Sequence, residues 1–280
     1  MVCVVEIISI GNELLIGKTP STNSQWLAKR IAGLSGHVRR ISIVSDALDE
    51  ISQILKDSLK RKPSLIITTG GLGPTFDDMT LKAIAGALKK PLSIDEEALD
   101  MVKVKYRQQE AVLGRKIELT PARVKMATMP AGSKPLRNPI GTAPGVLLVV
   151  RGSKIVALPG VPKEMEAIFE ESVEPLVREM TGKTFVREKS LKATEIMEST
   201  IAPLIDETMR DNPHVYIKSH PKISESPPWI ELHLMTTSKS EKAAEERIEA
   251  ALFQFSRLIL ERGGKVNTLP SSAFGEPKQA

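Results

Sequence analysis

The stretch Ser64–Thr80, "SLIITTGGLGPTFDDMT", decides how the chain is read. Its opening "SLIITT" is a short apolar run of the kind a strand shows when both of its faces are buried. Three glycines and a proline then open a loop, and two adjacent aspartates precede a stretch with helical spacing from Thr80 to Leu88. Glycines let a backbone approach a ligand closely, and a helix N-terminus near Asp78 offers unpaired N–H groups to an anion. Why such a loop should end in two negative charges has two answers. Asp77 and Asp78 either cap the helix or hold a divalent cation that separates them from a phosphate. Two familiar phosphate cradles do not fit, because the loop lacks a Gly-Lys-Ser/Thr, and Phe76 stands where a dinucleotide fingerprint has its third glycine.

Strand and helix patterns alternate outward from this loop. Upstream, Val2–Ile10 reads as a strand, Asn23–Leu34 as a helix with Leu27, Ile31 and Leu34 on one face, His37–Val44 as a strand and Leu48–Leu59 as a second helix. Strand, helix, strand, helix, strand implies parallel pairing through right-handed crossovers, hence an open α/β sheet whose ligands bind at the carboxyl ends of its strands. Downstream come helices at Thr80–Leu88 and Glu96–Gln109, a hairpin of "VLLVV" and "IVAL", and one long helix from Pro162 to Met180. From Phe185 the order is strand, helix (Glu195–Met209), strand (His214–Lys218), strand (Trp229–Met235) and helix (Glu241–Leu260), which suits a small α+β module. The expected domains are 1–180 and 185–265, followed by a flexible tail over 266–280.

Composition sets limits on function. The chain has 280 residues, 41% of them hydrophobic, and a single cysteine, Cys3, which rules out an internal disulfide. No apolar run is long enough to span a membrane, and "MVCVVEIISI" reads as a buried first strand rather than a signal peptide, so a cytoplasmic location is expected. The net charge of +5 concentrates between Met101 and Arg137, where nine basic residues face only Glu110 and Glu118. That block is either a solvated helical face or an approach surface for a small anionic ligand.

Three other stretches leave predicted strands with glycine or acid. "IGNELLIGKTPSTNS" carries Gly11, Asn12 and Glu13, "VSDALDE" carries Asp46, and "ALPGVPKEM" carries Gly160, Lys163 and Glu164. Each is bland alone, as a turn residue, a first-turn proline or a first-turn acid. Four such exits in one sheet point to one site.

The motifs "GNELLIGKTPSTNS", "TTGGLGPTFDDMT", "NPIGTAPG" and "ALPGVPKEM", in this order, resemble the competence/damage-inducible protein A (CinA) family. The likeness is to its N-terminal half, a molybdopterin-binding-like domain of MoaB/MogA type followed by a KH-like module, and covers about residues 1–265. It implies a three-layer mixed, mainly parallel sheet with a smaller α+β domain. The C-terminal nicotinamide-nucleotide amidase domain of longer bacterial members is expected to be missing. "GGLG" stands where molybdenum-cofactor enzymes usually have "GGTG", which favours the CinA branch.

The resemblance implies a metal-dependent nucleotide pyrophosphatase that splits ADP-ribose into AMP and ribose 5-phosphate. The alternative is a protein that binds or adenylylates molybdopterin. In the first reading Gly70, Gly71 and Gly73 hold the diphosphate, with Gly11, Asn12, Thr75, Asn138 and Gly141 as further substrate contacts. Asp77 or Asp78, with Glu13, binds a divalent metal (Mg, Mn, Co or Ni), and no organic cofactor is expected. Asp46 or Glu164 activates water, Asp78 is the best match to the family's functional aspartate, and Lys163 offsets charge on the leaving phosphate. A homo-oligomer is expected and no membrane partner. A nucleic-acid partner is disfavoured, because no G-x-x-G loop follows Phe185 and aromatics are only 4% of the chain.

Overall fold

A computed structural model describes residues 3–270. The chain divides into two compact units, one running to Thr181 and the other from Gly182 onward, with Gly33–Ser35 grouped with the second.

The first unit opens with β1 (Val4–Ile10), a four-residue α1 (Asn12–Leu15), α2 (Thr22–Gly33), β2 (His37–Val44), α3 (Leu48–Lys60) and β3 (Leu65–Thr69). It continues with α4 (Thr80–Leu88), β4 (Leu92–Ile94), α5 (Glu96–Leu113), α6 (Pro121–Lys125), β5 (Thr128–Pro130) and β6 (Lys134–Leu136). It closes with β7 (Gly145–Val150), β8 (Ser153–Leu158), α7 (Pro162–Ile168), a π-helical turn (Phe169–Val173) and α8 (Glu174–Thr181). The main sheet has the order β2-β1-β3-β8-β7-β6. β2, β1, β3 and β8 pair in parallel, and β7 runs antiparallel to both its neighbours. This is the mixed, mainly parallel sheet the sequence implies.

All five residues of β3 are buried, as its apolar run requires. One face of the sheet packs Ile8, Ile10 and Ile66 against Ile51, Leu55 and Ile84 of α3 and α4. The alternate residues Val5, Ile7, Leu65 and Ile67 are also fully buried, as are Leu27 and Ile31 of α2 and Ile168 and Phe169 of the last helical run. Each such side chain contributes about 1.5–3 kcal/mol by leaving water. Among them lies one carboxylate, Glu6, with hydrogen bonds from Ser58 Oγ (2.7 Å), Arg61 and Arg39. Burial pushes its pKa up, but the donors from Arg61, Ser58 and Arg39 outweigh that and hold it at about 2.

Helix ends follow their local chemistry. The Asp95 side chain caps α5 by accepting from Ala98 N, and Gly114 ends it in the left-handed region. The single helix expected over Pro162–Met180 is present, but the π turn interrupts its α geometry.

The second unit contains β9 (Phe185–Thr194), α9 (Glu198–Asp211), β10 (Val215–Lys222), β11 (Trp229–Ser238), α10 (Glu241–Glu261) and β12 (Lys265–Leu269). Its sheet order is β10-β11-β9-β12, antiparallel throughout, the β-α-β-β-α-β arrangement of split βαβ folds. Leu191, Ala193, Ile217, Leu232 and Leu234 meet Ile201, Leu204, Ile248 and Phe255 on one face.

Three expectations need correction here. Residues 266–269, expected in the flexible tail, belong to β12, which pairs with β9 from Thr194 to Ser190. An edge strand of five residues with only Val266 and Leu269 apolar leaves no periodic signal. The rest of that tail, 271–280, lies outside the described residues. The ninth helix starts at Glu198 rather than Glu195, whose φ of 60° breaks the chain after β9. Strand β10 runs on to Lys222 through Pro221, which an edge strand tolerates because its missing N–H is not needed by a neighbour. Among the described residues no helix is long and apolar enough to cross a membrane.

Candidate functional site

Sheet register gathers the predicted exits at one edge. Ile10 pairs with Val44, and Thr69 pairs with Ser9 on one side and Leu158 on the other, so the four parallel strands end level. Two backbone bonds carry this alignment past the strand ends, from Gly11 N to Val44 O (3.1 Å) and from Gly70 N to Leu158 O (3.0 Å). Since β7 runs the other way and Leu136 pairs with Gly145, the 137–144 loop reaches the same edge. Ligands in open α/β sheets bind at this edge.

The glycine loop is tightly specified. Gly70 has φ 109°, and a Cβ there would lie 2.3 Å from the Ile10 carbonyl oxygen. The Thr80 hydroxyl donates to Gly70 O at 2.8 Å and ties the start of α4 to the loop. With Gly70 N committed to β8, the N–H groups of Gly71, Leu72 and Gly73 remain, and none has a partner among the described residues.

The two aspartates do not cap the helix. Met79 occupies the N-cap without a side-chain bond, and α4 begins at Thr80. Asp78 Oδ2 instead accepts from Thr75 N (2.8 Å) and from the Thr75 hydroxyl (2.5 Å), and Asp77 Oδ1 stands 2.5 Å from the same hydroxyl. A hydroxyl has one proton, so the two carboxylates share a single donor. This donor lowers the Asp77 pKa, with a further contribution from Lys125, whose ammonium bonds the Thr75 carbonyl.

Asp46 faces this pair across the edge. Its Oδ2 accepts from Asn12 N at 2.9 Å. Burial raises its pKa; the Asn12 N–H works against this, while the charges of Glu13, Asp77 and Asp78 add to it. Asp46, Glu13, Asp77 and Asp78 therefore share one electrostatic neighbourhood, which Glu164 does not join. Among the described residues, however, no three His, Cys, Asp or Glu side chains stand together as a ready metal cage.

A second wall is built on Asn138, which is buried. Its Nδ2 donates to Ala143 O (2.8 Å) and Glu164 Oε2 (2.7 Å), while its Oδ1 accepts from Ile140 N (3.1 Å) and Gly141 N (2.7 Å). A Cβ at 141 would lie 1.9 Å from the Glu164 carboxylate, so any other residue there must displace that side chain from Asn138. Glu164 thus holds the loop, and the Asn138 side chain spends its polar atoms internally. Lys163 is exposed and pairs with Glu166 one turn along the helix at 2.9 Å.

Three participants escaped sequence reasoning. Asn23 donates through Nδ2 to Thr69 Oγ1 and to Gly160 O, both at 2.9 Å, bridging α2 to the exits of β3 and β8. Its Oδ1 is buried without a partner among the described residues, an acceptor left for a ligand or water. The polar run "PSTNS" was its only signal. Lys125, and likewise Lys105, which bonds Pro139 O at 2.6 Å, come from the basic block, where no spacing distinguished them.

This arrangement, a mixed α/β sheet with a glycine loop, acids and polar turns along one edge, defines a molybdopterin-binding-like domain. The family model described as "probable molybdopterin binding domain" matches residues 6–179, and the chain belongs to that family, in its CinA branch. A protein of Pyrobaculum calidifontis is 43% identical over 254 residues, covering 90% of this chain and 94% of that one. One of Aeropyrum pernix is 41% identical over 262 residues, covering 93% and 95%. Among solved structures, the CinA protein of unknown function from Thermoplasma acidophilum is 41% identical with a TM-score of 0.56, covering 62% of this chain and 98% of that one.

Proposed function

We propose that the protein is a metal-dependent nucleotide pyrophosphatase that hydrolyses ADP-ribose to AMP and ribose 5-phosphate. The observation that carries this reading is that one sheet edge holds both three backbone donors without a partner among the described residues, at Gly71, Leu72 and Gly73, and the mutually interacting carboxylates of Asp46, Glu13, Asp77 and Asp78. Donors of this kind suit phosphate oxygens. Carboxylates beside a phosphate are tolerable only with a cation between them, and four acids pressing on one another supply the hard oxygen donors that a divalent ion prefers. Glu13, Asp77 and Asp78 would hold it, after side-chain rotation, since no cage is preformed. When bound, the ion would polarise the phosphoryl oxygens.

The protein's own residues would do the rest. The glycine loop fixes the diphosphate in line for attack, and Asn23 braces the exits of β3 and β8 beside it. Asp46, its pKa raised, takes a proton from the attacking water as the water oxygen bonds to phosphorus and the bridging P–O bond breaks. Lys125, already on the loop, is better placed than the paired Lys163 to balance charge on the leaving phosphate. Glu164 holds the Asn138 loop rather than the water.

The second reading, binding or adenylylation of molybdopterin, is favoured by the description of the matching family model. One experiment separates them: incubation with ADP-ribose and Mg²⁺, Mn²⁺ or Co²⁺, with chromatography for AMP and a chelator control. Metal-dependent AMP supports the first reading. No AMP with any metal, together with pyrophosphate release from ATP and molybdopterin, supports the second.

A further inference from the structure

The sheet of the second unit has a face its helices leave open. Where one set of alternating residues meets α9 and α10, the other presents successive cross-strand rows. Tyr216 lies beside Met235 and Glu188; Lys218 beside His233 and Ser190; His220 beside Glu231, Lys192 and Asn267; Lys222 beside Trp229, with Thr194 and Lys265 continuing the row. Rows lie two residues apart, about 6.6 Å. One of the chain's two tyrosines and one of its two tryptophans therefore sit on a single face, despite the low aromatic content overall. Tyr216 is 52% exposed. Trp229 is fixed by its Nε1–H to Glu225 Oε2 (2.5 Å), and the Lys192 ammonium lies 4.7 Å from its ring centroid.

Charge on this face is uneven. Glu188 is taken by His233 (3.0 Å) and Glu231 by Lys222 (3.2 Å), whereas Lys192 and Lys218 have no carboxylate partner among the described residues. Lys192 and Lys222 lie over the Trp229 ring at 4.7 and 6.0 Å, so a base stacks there as Lys192 turns to a phosphate; with the exposed Tyr216 ring and Lys218, the face is complementary to a chain that alternates phosphates and π-faces. An open four-stranded sheet with stacking aromatics is an RNA platform that needs no G-x-x-G loop. The exposed Asn267 sets an amide group between the two rows, where a ribose 2′-hydroxyl can pair.

We propose that this open sheet face binds single-stranded RNA, with Tyr216 and Trp229 stacking bases and Lys192 and Lys218 pairing with phosphates. The test is fluorescence anisotropy of a labelled short oligouridylate with the full chain, and with oligothymidylate as comparison. Binding should weaken steeply between about 50 and 200 mM salt. The Tyr216→Ala variant, which removes an exposed ring, should weaken it about ten-fold. A Lys192→Ala, Lys218→Ala double variant should weaken it further and flatten the salt dependence, with thermal melting unchanged and Trp229→Phe retaining most affinity. No binding at about 50 mM salt, equal or tighter binding of oligothymidylate, or affinity unmoved by both variants would overturn the proposal.

Discussion

The Asn138 amide nitrogen donates to Glu164 Oε2 at 2.7 Å, and this bond locks the loop before β7 against the first turn of α7. Gly141 fits only because it has no Cβ to meet the same carboxylate. Gly141→Ala should displace Glu164, leave the buried amide short of a partner and cost about 1–3 kcal/mol in urea unfolding. Adding Glu164→Ala removes the clash, so the double variant should be less destabilised than the sum of the single ones. Strict additivity would show that the contact is not what disfavours alanine.

Asp78→Ala should lower the rate of AMP formation by orders of magnitude while leaving the melting temperature nearly unchanged, because Asp78 bonds only its own exposed loop. Unchanged turnover at saturating metal would remove it from the mechanism.

Asp46 gives a prediction in pH. A base works only when ionised, so activity should climb with pH along an acid limb set by Asp46; burial raises its pKa, while a cation held by Glu13, Asp77 and Asp78 would offset what those charges add. Asp46→Asn should abolish that limb and cost about 10²–10⁴-fold in kcat. A limb that persists in the Asn variant belongs to another group.

The pKa of Glu6 is shifted the other way, and its prediction concerns stability. Its folded pKa is depressed to about 2, so its contribution is present above the unfolded value of about 4.3 and is lost as pH falls toward 2. Glu6→Gln should destabilise the protein by about 3 kcal/mol at neutral pH, the low end for a broken buried pair, since Arg39 and Arg61 still reach solvent. The variant's urea midpoint should then fall less on acidification than that of the wild type.

Chelation should abolish AMP formation but leave the melting temperature in place, since the described carboxylates are held by Thr75 and Asn12 without a metal. Activity that survives exhaustive chelation would exclude the metal from the reaction.

The first unit was legible where burial is continuous. β1 and β3 are buried along almost their whole length, and α3 places Ile51 and Leu55 on one face, so periodicity found them. The short elements α1, α6, β4, β5 and β6 span three to five residues, too few to repeat any period. The site was legible where glycine or acid follows a strand. Asn23 was not, because its meaning lies in Thr69 and Gly160, 46 and 137 residues away along the chain. Nor could spacing tell that the Thr75 hydroxyl, rather than the helix N-terminus, is what the two aspartates share.

The π turn at Phe169–Val173 makes the closing helix of the first unit a matter of counting as much as of chemistry. An i→i+5 turn takes up one residue more than an α turn, so a single residue removed here would restore α geometry and leave Val177 facing the interior it now fills. A relative aligned across this point with a one-residue gap would keep its apolar positions in register on both sides, making the gap itself a readable sign that its closing helix is α throughout.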